Sequence, residues 1–200
     1  HEAAGQALST LKEMAPPESA LCALTSAALC LEQENYPGVL TALEGFAPAH
    51  AQARVQGLAL RGAALLHTGQ PGPASSALEE ARQLALEWSQ THLQGGGSVV
   101  GEWMGVQALV WLAEAHLALE QPKEALQVLE SQGANSLRLP GPSPNLSSWA
   151  AHFEYGFVSI TVGADSGIAL AMDKTGKVHG QSIPLGRATL WRAIGHLEQA

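Results

Sequence analysis

Apolar and small residues recur through the first two thirds of the chain at intervals of three and four, the spacing of one face of an α-helix. The pattern also repeats on a longer scale. A shift of 35 positions places Ala27 on Gly62, Leu31 on Leu66, Val39 on Ala74 and Leu43 on Leu78. A shift of 51 carries Gly62, Leu66, Ala74 and Leu78 onto Ala113, Leu117, Ala125 and Leu129. The longer second interval is accounted for by a Gly-rich insert, "THLQGGGSVVGEWMG". Each unit reads as two helices joined by a turn that holds Gly69 or the prolines at 37, 71 and 122. A small residue in the first helix (Ala27, Gly62, Ala113) and a small or β-branched one in the second (Val39, Ala74, Ala125) let the two backbones approach, and leucines fill the seam. In residues 2–14, Ala4, Leu8 and Leu11 match only a second helix, which implies that the array begins upstream.

The pattern changes after residue 132. The stretch "GANSLRLPGPSPNLSS" holds Pro140, Pro142 and Pro144, which no helix survives, so residues 133–152 read as a linker. Beyond it Val158, Ile160 and Val162 alternate, as do Ile168, Leu170 and Met172. Asp173–Gly176 is a turn signal, and Val178–Ile183 is a third short candidate strand. Two or three antiparallel strands are expected, followed by an amphipathic helix carrying Leu190, Trp191, Ile194 and Leu197. The fold expected is therefore mostly α: a superhelix of antiparallel helical hairpins over 1–132, the linker, and a β-hairpin plus helix over 153–200.

The seam residues resemble the tetratricopeptide (TPR) repeat, which also places small residues at two seam positions. The variable period and "GAALLHTGQPGPASSALEEARQLALEW" are similar to the looser TPR-like arrays of bacterial transcriptional regulators of the SARP, or bacterial transcriptional activator, type. The usual early aromatic of the first helix is missing from each unit. In the tail, Asp173, Gly176, Ile183-Pro184-Leu185 and Arg187 resemble the opening of an OmpR-like winged-helix domain, whose recognition helix would lie beyond Ala200. Two other readings of the tail stand beside it. "VSITVGADSGIALAMDKTGKVHG" is similar to a propeller blade of the regulator-of-chromosome-condensation type, and the same segment would serve as a plain cap on the helical stack.

Charge narrows the partners. The formal net charge is -8, and all of it lies in residues 1–149, where 14 Glu face 6 Lys plus Arg. Such a surface repels phosphate backbones, so this part is a poor nucleic-acid binder. Residues 150–200 balance to zero and lack the basic stripe of a complete DNA reader. Cys22 and Cys30, two helical turns apart, are too distant to bridge and read as packed thiols. No apolar run is long enough to span a membrane, and the start of the sequence lacks a signal-peptide pattern. A cytoplasmic setting is expected.

No catalytic constellation emerges, and no enzyme, cofactor or metal is expected. The eight histidines include no pair three or four apart. "QGGGS" (94–98) lacks the Lys-Ser/Thr of a phosphate loop, and "GADSG" (163–167) has Asp165 where a nucleophilic serine would sit. The candidate site is instead the inner face of the first helices, where repeat register places Glu32, Gln56, Ala63, His67, Gln107 and Glu114. Trp103 and Trp111 are candidate stacking residues for a sugar or an apolar peptide. Under the winged-helix likeness, Arg187 and Arg192 would contact nucleic acid. The expectation is a non-catalytic interaction or sensor scaffold, a fragment of a bacterial transcriptional regulator. Its partner would be a protein or peptide, or a small effector, with DNA contacted only by a region beyond this chain. A stand-alone peptide-binding TPR adaptor and a sugar receptor are the alternatives.

Overall fold

The computed structural model describes residues 20–92, 104–137, 157–173, 175–187 and 189. Six helices come first: α1 (Ala20–Glu32), α2 (Tyr36–Ala42), α3 (Ala51–His67), α4 (Pro71–His92), α5 (Gly105–Ala118) and α6 (Pro122–Leu137). They pack as the pairs α1–α2, α3–α4 and α5–α6, with α3 also against α1, α2 and α5. The described residues therefore form a mostly helical protein of packed adjacent pairs.

One turn joins all three pairs. Glu34, Gly69 and Glu120 sit in the left-handed region, at φ of 57°, 75° and 59°. The amide of the next residue, Asn35, Gln70 or Gln121, donates to a carbonyl five residues back, on Cys30, Leu65 or His116, at 2.8, 2.9 and 2.9 Å. This closes each first helix with a Schellman-type cap, which satisfies carbonyls the helix leaves bare. The carbonyls of Asn35, Gln70 and Gln121 then accept from Val39, Ala74 and Ala125, opening the second helix. Asn35 adds a side-chain cap, its Oδ1 accepting from Gly38 N at 3.1 Å.

The seam residues are buried in every pair. Ala27, Val39, Ala74, Ala113 and Ala125 are fully buried, as is the backbone around Gly62. Leu43, Leu78 and Leu129 are buried opposite them. The tightest approach is at Gly62, where an added Cβ would lie 2.4 Å from Leu78 Cγ.

Strands β1 (Phe157–Val162), β2 (Gly167–Met172) and β3 (Val178–Ile183) form an antiparallel sheet in the order β1-β2-β3. Val158 pairs with Ala171 and Ala171 with His179, which fixes the faces. Ile168, Leu170, Met172 and Val178 point to one face and share a single core cluster with Val110, Ala113, Ala125, Leu126 and Leu129 of α5 and α6. Val158 and Ile160 point the other way and are exposed. The Asp173 turn is tied by its own side chain, whose Oδ1 accepts from Thr175 N, Thr175 Oγ1 and Lys177 N.

Two expectations change. Helix α6 runs to Leu137, into the segment the sequence marks as linker. The sheet, expected as part of a separate C-terminal unit with a cap on the helical stack as the alternative, is packed on the third helical pair. The expected N-terminal helix, residues 93–103 of the Gly-rich insert, the proline cluster and the expected helix carrying Leu190, Trp191, Ile194 and Leu197 lie outside the described residues. Among the described residues no helix is long and apolar enough to cross a membrane.

Candidate functional site

The first helices of the three pairs bring one face each to a common groove of about 550 Å³. Helix α1 supplies Leu21, Leu24, Thr25 and Ala28, α3 supplies Gln56, Ala59 and Leu60, and α5 with Met104 supplies Gln107 and Trp111. The spacing makes this face. Leu21, Leu24 and Ala28 follow the three-four rhythm of one helical stripe, as do Gln56, Ala59 and Leu60. None of the described lining residues is charged, although the chain carries -8. Ala59, Met104 and Trp111 are buried at the floor, whereas Leu21 is 57% exposed at the rim.

The polar groups of the groove differ in their commitments. Thr25 Oγ1 donates to Leu21 O at 2.8 Å, so its hydroxyl is engaged by its own helix. Gln107 reaches the sheet: its Oε1 accepts from Asp165 N at 3.1 Å and its Nε2 donates to Ser166 Oγ at 3.4 Å. Gln56 is exposed at the middle of the groove. A surface of this kind, apolar with a few amides and no ionised groups, favours an uncharged apolar guest, because a charged one would lose hydration without a partner.

Of the residues that repeat register placed on the inner face, Gln56 and Gln107 converge here, together with the candidate stacking residue Trp111. The others lie elsewhere. Ala63 is buried in the α3–α4–α5 core. Glu32 is exposed at the C-terminal end of α1. His67 stacks on Tyr36, ring centroids 4.7 Å apart and nearly parallel, at the junction of the first two pairs. Partial burial, and then the Glu34 carboxylate, push the Tyr36 hydroxyl above its ordinary value. Glu114 accepts from Ser182 Oγ at 2.6 Å and so ties α5 to β3. Arg187 is exposed, its backbone N–H donating to Gly163 O. Trp103 and Arg192 lie outside the described residues.

Leu24, Ala28, Leu60 and Met104 were not singled out by sequence, although the helical spacing of the first three contains the signal. The groove is mostly aliphatic, and aliphatic residues at helical spacing look the same in sequence whether they line a groove or fill a core. A second cluster, Glu79, Arg82, His116 and Glu124, lines a cavity of about 270 Å³ between α4, α5 and α6. Arg82 clamps Glu79 through Nε and Nη2 at 2.8 and 2.6 Å. Burial raises the Glu79 carboxyl, but hydrogen bonds from Arg82 and Gln83 and the Arg82 and His116 charges outweigh it and hold it below the usual range. Among the described residues no group of three or more His, Cys, Asp or Glu is arranged to hold a metal ion. Compared with protein-family models, curated proteins and solved structures, the chain matches none.

Proposed function

We propose that the chain is a non-catalytic interaction module, a TPR-like array whose inner groove receives an uncharged, apolar segment of a partner protein. The observation that carries this reading is the groove itself: all three first helices contribute to it, and its described lining holds aliphatic and aromatic side chains without an ionised group. The buried small residues at equivalent seam positions and the shared turn support a repeating array. The sheet then caps the third unit, covering apolar surface of α5 and α6 that the next hairpin of an array would otherwise cover. In a bacterial transcriptional regulator, as the sequence resemblance implies, this module would take the partner and leave DNA contact to another region.

The test is a titration of the chain with a labelled peptide whose apolar residues recur at three and four and which carries no charge. Binding by anisotropy is expected for this peptide, with a loss of about tenfold or more for Ala28→Glu, which puts a carboxylate into the groove. Equal affinity for the wild type and Ala28→Glu would refute the assignment.

A further inference from the structure

A second cavity lies on the other face of α3. Arg54, Leu58 and Arg61 line it, while Gln56, Ala59 and Leu60 line the groove. At about 100° per residue, the two sets point in opposite directions from the helix axis. The two cavities share no described residue.

This second cavity measures about 450 Å³, the size of a small-ligand site. Its apolar wall is Leu43, Phe46 and Leu58. Phe46 is seated against the backbone of Gly57, where an added Cβ would fall 2.4 Å from the ring. Its charged rim is Arg54, Arg61 and Glu80. Arg54 and Glu80 pair at 2.5 Å and cancel. Arg61 is exposed, and among the described residues no carboxylate is paired with it. The cavity therefore presents a net positive charge in a strongly acidic part of the chain.

We propose that this cavity binds a small apolar monocarboxylate, an aryl- or branched-alkyl-alkanoic acid. Arg61 takes the carboxylate, because a guanidinium offers a planar fork that matches two carboxylate oxygens. Leu43, Phe46 and Leu58 take the apolar body. A single negative charge on the ligand matches the single uncompensated guanidinium, and a dianion would meet the Glu80 carboxylate. The site is independent of the groove and of the partner proposed there.

The test is a titration of the full chain, followed by NMR, with 3-phenylpropionate and its neutral amide. The acid is expected to bind at least about tenfold more tightly than the amide, with shifts confined to residues around Phe46 and Arg61. Arg61→Met should cut acid binding by about tenfold or more and leave the amide unchanged, while Arg187→Met should leave both unchanged. Equal binding of acid and amide, or an Arg61→Met chain that binds the acid normally, would overturn the proposal. A peptide ending in phenylalanine that binds here at least about tenfold more tightly than the free acid would also overturn it, in favour of a protein C-terminus.

Discussion

Gly62 on α3 and Leu78 on α4 are in such close contact that a single added methyl carbon would lie 2.4 Å from Leu78 Cγ. Leu78 is fully buried and cannot retreat without disturbing the core it shares with α5. Alanine would gain about 1 kcal/mol of helix propensity at position 62, but overpacking a filled core costs about 1–3 kcal/mol. Gly62→Ala is therefore expected to destabilise the protein by up to about 2 kcal/mol. Gly72, early in α4, would meet no atom from the rest of the fold within 4 Å of an added Cβ, although Pro73 follows it and disfavours a Cβ in the helical region at that position. There the gain in helix propensity and the pre-proline clash oppose each other, and Gly72→Ala should stay within about 0.5 kcal/mol of wild type. Chemical denaturation of the two variants checks the contrast.

The turns make a second pair of opposed predictions. Gly69 holds the left-handed position at no steric cost, whereas Glu34 and Glu120 hold the same position with a side chain. A left-handed residue with a Cβ costs roughly 1–2 kcal/mol. Gly69→Ala should lower stability by about 1 kcal/mol, and Glu120→Gly should raise it by a similar amount less the added chain entropy of glycine. Thermal melts of both variants would show shifts of opposite sign.

Two carboxylates give pH dependence of opposite sign. The folded pKa of Glu79 is depressed, so its contribution is present above the unfolded value of about 4.3 and is lost as pH falls through the folded pKa below it. Glu79→Gln should be destabilising at pH 7, and the gap to wild type should narrow below about pH 4. Glu130 is the reverse. Burial raises its carboxyl, and its Oε1 has no hydrogen-bond partner among the described residues. Its protonated form is favoured by the fold, so stability is lost as pH rises through the raised pKa. Glu130→Gln should stabilise the protein at pH 7, and that advantage should vanish in acid. Urea titrations at several pH values separate the two.

The sheet and the third helical pair share one core, so they should unfold together. Leu170 is 1% exposed within it. Leu170→Ala is expected to cost about 2–5 kcal/mol, and helical and tertiary signals should shift to lower denaturant together. Val158→Thr, on the exposed face, should stay within about 0.5 kcal/mol of wild type. A sheet that melts while the helical signal stays unchanged would contradict the shared core.

The seam was legible because packing constraints at Ala27, Gly62 and Ala113 act directly on side-chain size, which sequence records. The strands were legible for the same reason, since alternation at Ile168, Leu170 and Met172 follows the pleat. Their facing was not. Val158 and Ile160 alternate as cleanly as the β2 residues, yet the Val158–Ala171 register turns them outward. The left-handed positions at Glu34 and Glu120 were also hidden, because only Gly69 announces that conformation by residue type. The groove was half legible. Repeat register found Gln56 and Gln107, and aromatic character found Trp111, but the register set also included Glu114 and His67, whose side chains are engaged by Ser182 and Tyr36. Which side chain is occupied by a neighbouring element depends on tertiary contacts that no local pattern encodes.

The most direct measurement is a selection of random peptides on the immobilised chain, with the winners retested against Ala28→Glu and Arg61→Met. Uncharged peptides with apolar residues at helical spacing are expected, bound about tenfold or more weakly by Ala28→Glu and unchanged by Arg61→Met. Winners that are charged, or that bind Ala28→Glu as tightly as the wild type, would contradict the proposed groove.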